Sequence, residues 1–236
     1  MAKVELLNNE KHRNIKIKTN RDVSDLKEQS ILPLVLGEFP HAAIEFPICF
    51  IKNNQTDDLQ VVALMGIESK ENLFVKDGSW DSAYMPARYT HRPFGLLQNP
   101  EDKANYGIAV DFDSELVNEE EGVALFDENG NETEFLVKQK EAMGTYLEQE
   151  HLTRSFTKEL NDKGYLTQRQ INVTVNEQKY NVDGVYIIDE KKIEELSDED
   201  FLDLRKRGLL TPIYTHLLSM RQMNNLIRRK SIRSQS

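Results

Sequence analysis

Cysteine occurs once in the 236 residues, at Cys49, and tryptophan once, at Trp80. One cysteine excludes an intrachain disulfide and a cysteine-rich zinc site. Cys49 sits in "FPICFIK", which reads as a buried strand, and a thiol in apolar surroundings is packing rather than a nucleophile. Long apolar runs are missing as well. "ILPLVL" and "VVALMGI" fall far short of the ~20 residues that span a bilayer, so an integral membrane protein is not expected. The first twenty residues hold no apolar core with a cleavage site, which makes the cytoplasm the expected location. There is no glycine-rich phosphate loop, no G-x-G-x-x-G, no G-x-S-x-G elbow and no H-E-x-x-H. The histidines, at 12, 41, 91, 151 and 216, have no metal-ligand spacing. "DENGNETE" lacks the full calcium-loop pattern and reads as a turn with exposed carboxylates. No cofactor and no metal is expected, and the missing catalytic motifs lean away from an enzyme.

Positive charge is in short supply: 30 lysines and arginines face 40 acids, a net charge of −10. Such a chain repels phosphate backbones, so nucleic acid is not an expected partner. The acids crowd residues 101–150, with Glu119, Glu120 and Glu121 in a row. The bases gather at the other end, in Arg221, Arg228, Arg229, Lys230 and Arg233. Residues 223–236 therefore read as a basic tail. It is either frayed and solvated, or it docks on an acidic partner, an anionic lipid surface or the chain's own acidic middle.

What is present suits one α+β domain over residues 1–236, with a largely antiparallel sheet in the N-terminal half and a helix-rich C-terminal part. "VELL" and the alternating "IKIKT" predict strands within a β segment over residues 1–20. "EFPHAAIEF" predicts a short helix that tolerates Pro40 in its first turn and stops before Pro47. "ICFIK" and "LQVVALMGI" follow as strands, as do "PFGLL" and "YGIAVDF". "VALFDENGNETEFL" predicts a tight hairpin. Met143, Leu147, Leu152, Phe156 and Leu160 recur at helical spacing up to a capping Gly164. A second hairpin covers "INVTV" and "YNVDGVYIID". Two helices follow, one capped by Ser197 and one expected to start at Thr211 with Pro212 in its first turn.

Two clusters could carry chemistry. Glu38, His41 and Glu45 are spaced three and four apart, so a helix turns them to one side. They are weak candidates for a Glu/His acid–base group, set against the plainer reading of a cap and a local surface pair. "WDSAYMPARYTHRPF" crowds Trp80, Tyr84, Arg88, Tyr89 and Arg92 together, a composition that suits binding of a carboxylate, a sugar or a peptide. The alternative is core aromatics with arginines stacked on them.

"PLVLGEFPHAAIEFPICF", "LMGIESKENLFVKDGSWDSAYMPARYTHRPF", "VALFDENGNETEFL" and "GLLTPIYTHLLSM", in that order over about residues 31–222, resemble the SapC family of bacterial surface-array (S-layer) associated proteins. The resemblance implies a link to the production or export of a surface-layer protein or peptide client. The permease label often given to such proteins does not suit a chain without a spanning segment. The family brings no established catalytic residues. The resemblance and the residues together favour a binding protein that reads a peptide or protein client through the aromatic–Arg cluster. An enzyme acting on a small molecule or modified peptide, and a structural homodimer, are the alternatives.

Overall fold

The computed structural model describes residues 3–20, 22–53, 56–98 and 106–235. Contacts divide the chain into two units, residues 1–22 with 87–148 and residues 23–86 with 149–236. The fold is α+β with antiparallel sheets and a helix-rich C-terminal part.

In the first unit, β1 (Val4–Leu6), β8 (Phe94–Gln98) and β9 (Tyr106–Asp111) form an antiparallel sheet with β9 central. β2 (Lys16–Ile17) pairs with β10 (Val117–Asn118) and β11 (Val123–Ala124). Ile17, Phe94, Val110, Leu125, Leu136 and Met143 make one apolar core. The hairpin expected at 123–136 keeps only its first arm. A single bridge joins Phe126 to Glu132, and "EFL" then opens helix α3 (Glu134–Asp162) because Thr133 Oγ1 accepts the Leu136 N–H at 3.4 Å. A short helix, α2 (Ala87–Thr90), begins the second segment of this unit.

The second unit is built on a sheet ordered β12-β13-β4-β5-β3, from β3 (Ile31–Pro33), β4 (Ile48–Lys52), β5 (Leu59–Leu64), β12 (Leu166–Val175) and β13 (Gln178–Ile188). Ile48, Cys49, Phe50, Val61, Val62 and Ala63 are all buried, which is why these strands read as unbroken apolar runs. Burial pushes the Cys49 thiol up to about 12, so it is inert packing. A two-stranded hairpin, β6 (Val75–Lys76) with β7 (Ser79–Trp80), turns through Asp77 and Gly78. Both have positive φ, the geometry that favours Asp-Gly in two-residue hairpins.

The helices of this unit are α1 (Phe39–Glu45), α4 (Glu190–Glu194), α5 (Asp198–Lys206), α6 (Leu210–Ser219) and α7 (Met223–Arg233). Ser197 caps α5 by accepting the Asp200 N–H. Helix α6 starts earlier than its Thr-Pro pair predicts, with Leu209 as the cap and Thr211 already in the first turn. Ser219 ties α6 to the sheet: its Oγ accepts the Ile48 N–H at 3.0 Å and donates to the His216 carbonyl at 2.6 Å. His216 is completely buried beside Phe50, and neither ring nitrogen has a hydrogen-bond partner among the described residues. Burial lowers its pKa to about 3.

The basic tail is ordered and meets acidic residues of its own unit. It is helix α7, and it docks on residues 68–81. Lys230 is 9 % exposed and meets the carboxylates of Glu68 and Glu71. The Arg229 guanidinium lies 4.3 Å from the Phe74 ring and bonds Asp81 Oδ2 at 2.8 Å. Arg233 donates to the carbonyls of Asn72, at 2.8 Å, and Val75.

Candidate functional site

The segment that enters α1 carries the first candidate group. Val35 is extended, a 3-10 turn covers Leu36–Glu38, and α1 follows with proline in its first turn. The Glu38 side chain folds back so that Oε2 accepts the Val35 N–H at 2.8 Å. Its other oxygen, Oε1, accepts the Tyr84 hydroxyl at 2.7 Å. Glu38 is buried, and both its oxygens are engaged by protein donors. As a carboxylate it satisfies an otherwise orphaned N–H and anchors a second segment.

That second segment is 80–84, the first part of the aromatic–Arg motif. Trp80 Nε1 donates to the Tyr84 carbonyl at 2.7 Å, which curls the chain into a loop. The Trp80 ring packs on Phe74 and Phe46, with centroids 6.0 and 6.2 Å away. The Tyr84 ring stacks on His41 at 5.6 Å. Ser82 Oγ donates to Glu45 Oε2 at 2.7 Å, and Asn225 Nδ2 donates to the Glu45 carbonyl at 3.1 Å. The structure thus brings Glu38, His41, Glu45, Trp80 and Tyr84 together. It divides the remainder of the motif from them: Arg88, Tyr89 and Arg92 belong to the first unit, where the Arg92 guanidinium lies 6.0 Å from the Tyr89 ring and Arg88 is exposed.

The strap over α1 has a measurable strength. Tyr84→Phe removes the hydroxyl from a buried carboxylate, and the expected cost is about 1–1.5 kcal/mol in urea unfolding.

The other flank of this segment faces an apolar groove of about 500 Å³ that sequence reasoning missed. Phe39 and Pro40 form one wall, Leu152 and Phe156 of α3 another, and Leu209 and Pro212 at the start of α6 a third. The Gly37 N–H donates to Gln149 Oε1 at 3.0 Å and the Leu36 N–H to Thr153 Oγ1 at 2.8 Å, so the first two walls are pinned by hydrogen bonds. At Gly37 a Cβ would meet Gln149 Oε1 at 3.0 Å, tighter than most contacts allow. Arg207 closes one end in a paired contact with Glu159 and a 3.0 Å contact with Asp203. Leu152, expected on the core face of its helix, is 56 % exposed at the rim. Met143, Phe156 and Leu160 are buried as their spacing predicts, and the buried stripe of that helix also takes in Tyr146, Thr153 and Thr157. Ile44, one turn beyond Pro40, and Leu218, one turn beyond Thr215 of the groove lining, are also exposed. No signal in the sequence marks the groove, because the exposure of Leu152 is set by neighbours distant in the chain.

Among the described residues no group of three or more His, Cys, Asp or Glu side chains could hold a metal ion. No described helix is long and apolar enough to cross a membrane. A comparison with protein-family models matches residues 7–226 to SapC. No curated protein and no solved structure matches the chain.

Proposed function

Since the chain belongs to the SapC family, we propose that it is a binding protein for a peptide or protein client tied to the production or export of a bacterial surface layer. The observation that carries this reading is the pinned apolar groove between α1, α3 and α6, open to solvent and rimmed by exposed Leu152. Grooves with apolar walls and a few fixed polar groups suit an apolar side chain presented on a short helix or extended peptide. Arg207, already neutralised by Glu159 and Asp203, bounds the groove without demanding a charged client. The Glu38–Tyr84 clasp and the Trp80 loop hold α1 in place as the wall.

An array of overlapping peptides from surface-layer proteins of the same genome tests this. The parent is expected to retain a discrete subset rich in apolar residues. Leu152→Glu and Thr215→Arg, which place charge or bulk in the groove, should weaken those peptides about tenfold by fluorescence anisotropy. Equal affinity for parent and variants would remove the groove from the mechanism. An array on which the folded parent retains nothing would remove the client itself.

A further inference from the structure

We propose that a second cleft, between α7, the β6–β7 turn and the 3-10 turn Ser24–Leu26, binds a phosphate-bearing ligand. The cleft has a volume of about 840 Å³ and is independent of the client groove. Its lining includes five cations, Lys27, Lys76, Arg228, Arg229 and Arg233, against two carboxylates, Asp77 and Asp81. This is an excess of positive charge in a chain whose net charge is −10.

The pairing of these cations sets them apart. Lys18, Lys52, Lys138, Lys140 and Lys158 each meet a carboxylate. Among the described residues only Arg229 of the cleft does, through Asp81. Arg233 is held by two neutral carbonyls, and Arg228 by the Asn225 amide oxygen at 3.0 Å. Lys27 and Lys76 have no carboxylate partner among the described residues. Arg233 is therefore rigid yet electrically uncompensated, which is the preorganisation that anion binding rewards. A single carboxylate would leave most of this charge unmatched, whereas a phosphate ester or polyphosphate carries two or more negative charges and several acceptor oxygens. The acidic remainder of the surface repels long polyanions, so a short ligand is favoured.

Inorganic tripolyphosphate is the first probe, titrated calorimetrically at ~0.15 M salt, where only close charges act strongly. Vesicles of phosphatidylglycerol, with phosphatidylcholine as the control, are the second, read by sedimentation. The expected result is saturable one-to-one binding that weakens about tenfold or more in Lys27→Gln/Lys76→Gln/Arg228→Gln. It should persist in the charge-matched control Lys138→Gln/Lys158→Gln/Lys191→Gln. Lys76→Gln alone, at the exposed end of β6, gives a smaller loss and guards against misfolding of the triple variant. Tripolyphosphate binding identifies a free phosphate compound. Cleft-dependent pelleting with phosphatidylglycerol, with tripolyphosphate inert, identifies a lipid headgroup. Binding of neither probe by the parent, or equal weakening in both triple variants, overturns the proposal.

Discussion

Acidification from pH 7.5 to pH 5 is expected to cost the second unit about 2 kcal/mol through His216 alone. The folded side chain titrates near 3 because burial opposes its charged form, while the unfolded chain takes up the proton near 6.5. Below pH 6.5 the unfolded state therefore binds more protons than the folded one. The stability that a neutral His216 contributes is whole above that pH and is lost progressively as the pH falls towards 3. Asp200, whose pKa is lowered by its hydrogen bond from Ser197, titrates below this window and does not mimic the effect. His12, lowered by burial and by Lys11, acts with the same sign but lies in the first unit. Trp80 is the only tryptophan and belongs to the second unit, so its fluorescence in urea titrations reads the relevant transition. His216→Leu should flatten the dependence between pH 7.5 and 5. It should also leave the neutral-pH stability equal or higher, since it removes two buried nitrogens that have no partner among the described residues. A His216→Leu protein that loses the same stability on acidification would refute this assignment.

Lys230→Ala is expected to destabilise the second unit by about 3 kcal/mol. Lys230 joins α7 to Glu68 and Glu71 and lies 5.3 Å from the Tyr180 ring, so one truncation removes contacts to three side chains on two segments. The Glu71 side chain is only 12 % exposed and would lose the cation packed against it. It would not be wholly abandoned, because Oε2 still accepts the Ile67 N–H at 3.1 Å. Burial pushes the Lys230 pKa down, but hydrogen bonds to Glu68 and Glu71 outweigh that and raise it, so Lys230 stays charged at neutral pH. Adding Glu71→Gln to Lys230→Ala should restore part of the loss by removing the carboxylate left without its cation. A cost below about 1 kcal/mol for Lys230→Ala would mean that the contact behaves as a surface ion pair.

Local chemistry made much of this fold legible in the sequence. Prolines bounded α1, Ser197 capped α5, and Asp77-Gly78 turned a hairpin, each because the deciding interaction spans only a few residues. What could not be read depends on distant partners. Arg229 and Lys230 look like free tail charges until residues 68–81 are brought beside them. Leu152 looks like a core position because helical spacing does not say which stripe the neighbours cover. The candidate cluster divides in the same way. Glu38 and Tyr84, far apart in sequence, share a hydrogen bond, while Arg88, only four residues beyond Tyr84, falls in the other unit.

The pairing of β4 with β13 has a consequence for how the protein is made. Ile51 meets Val185 across the sheet, and the whole second segment of the first unit lies between them in the chain. A ribosome that has released "FPICFI" soon supplies β5 on one side of that strand but must continue well past residue 185 before β13 covers the other. Closing so long a loop is slow, and the waiting strand offers an apolar, unpaired edge meanwhile. The interval of synthesis between the two halves of the second unit is therefore when this chain is most prone to aggregate, and when a chaperone would have most to protect.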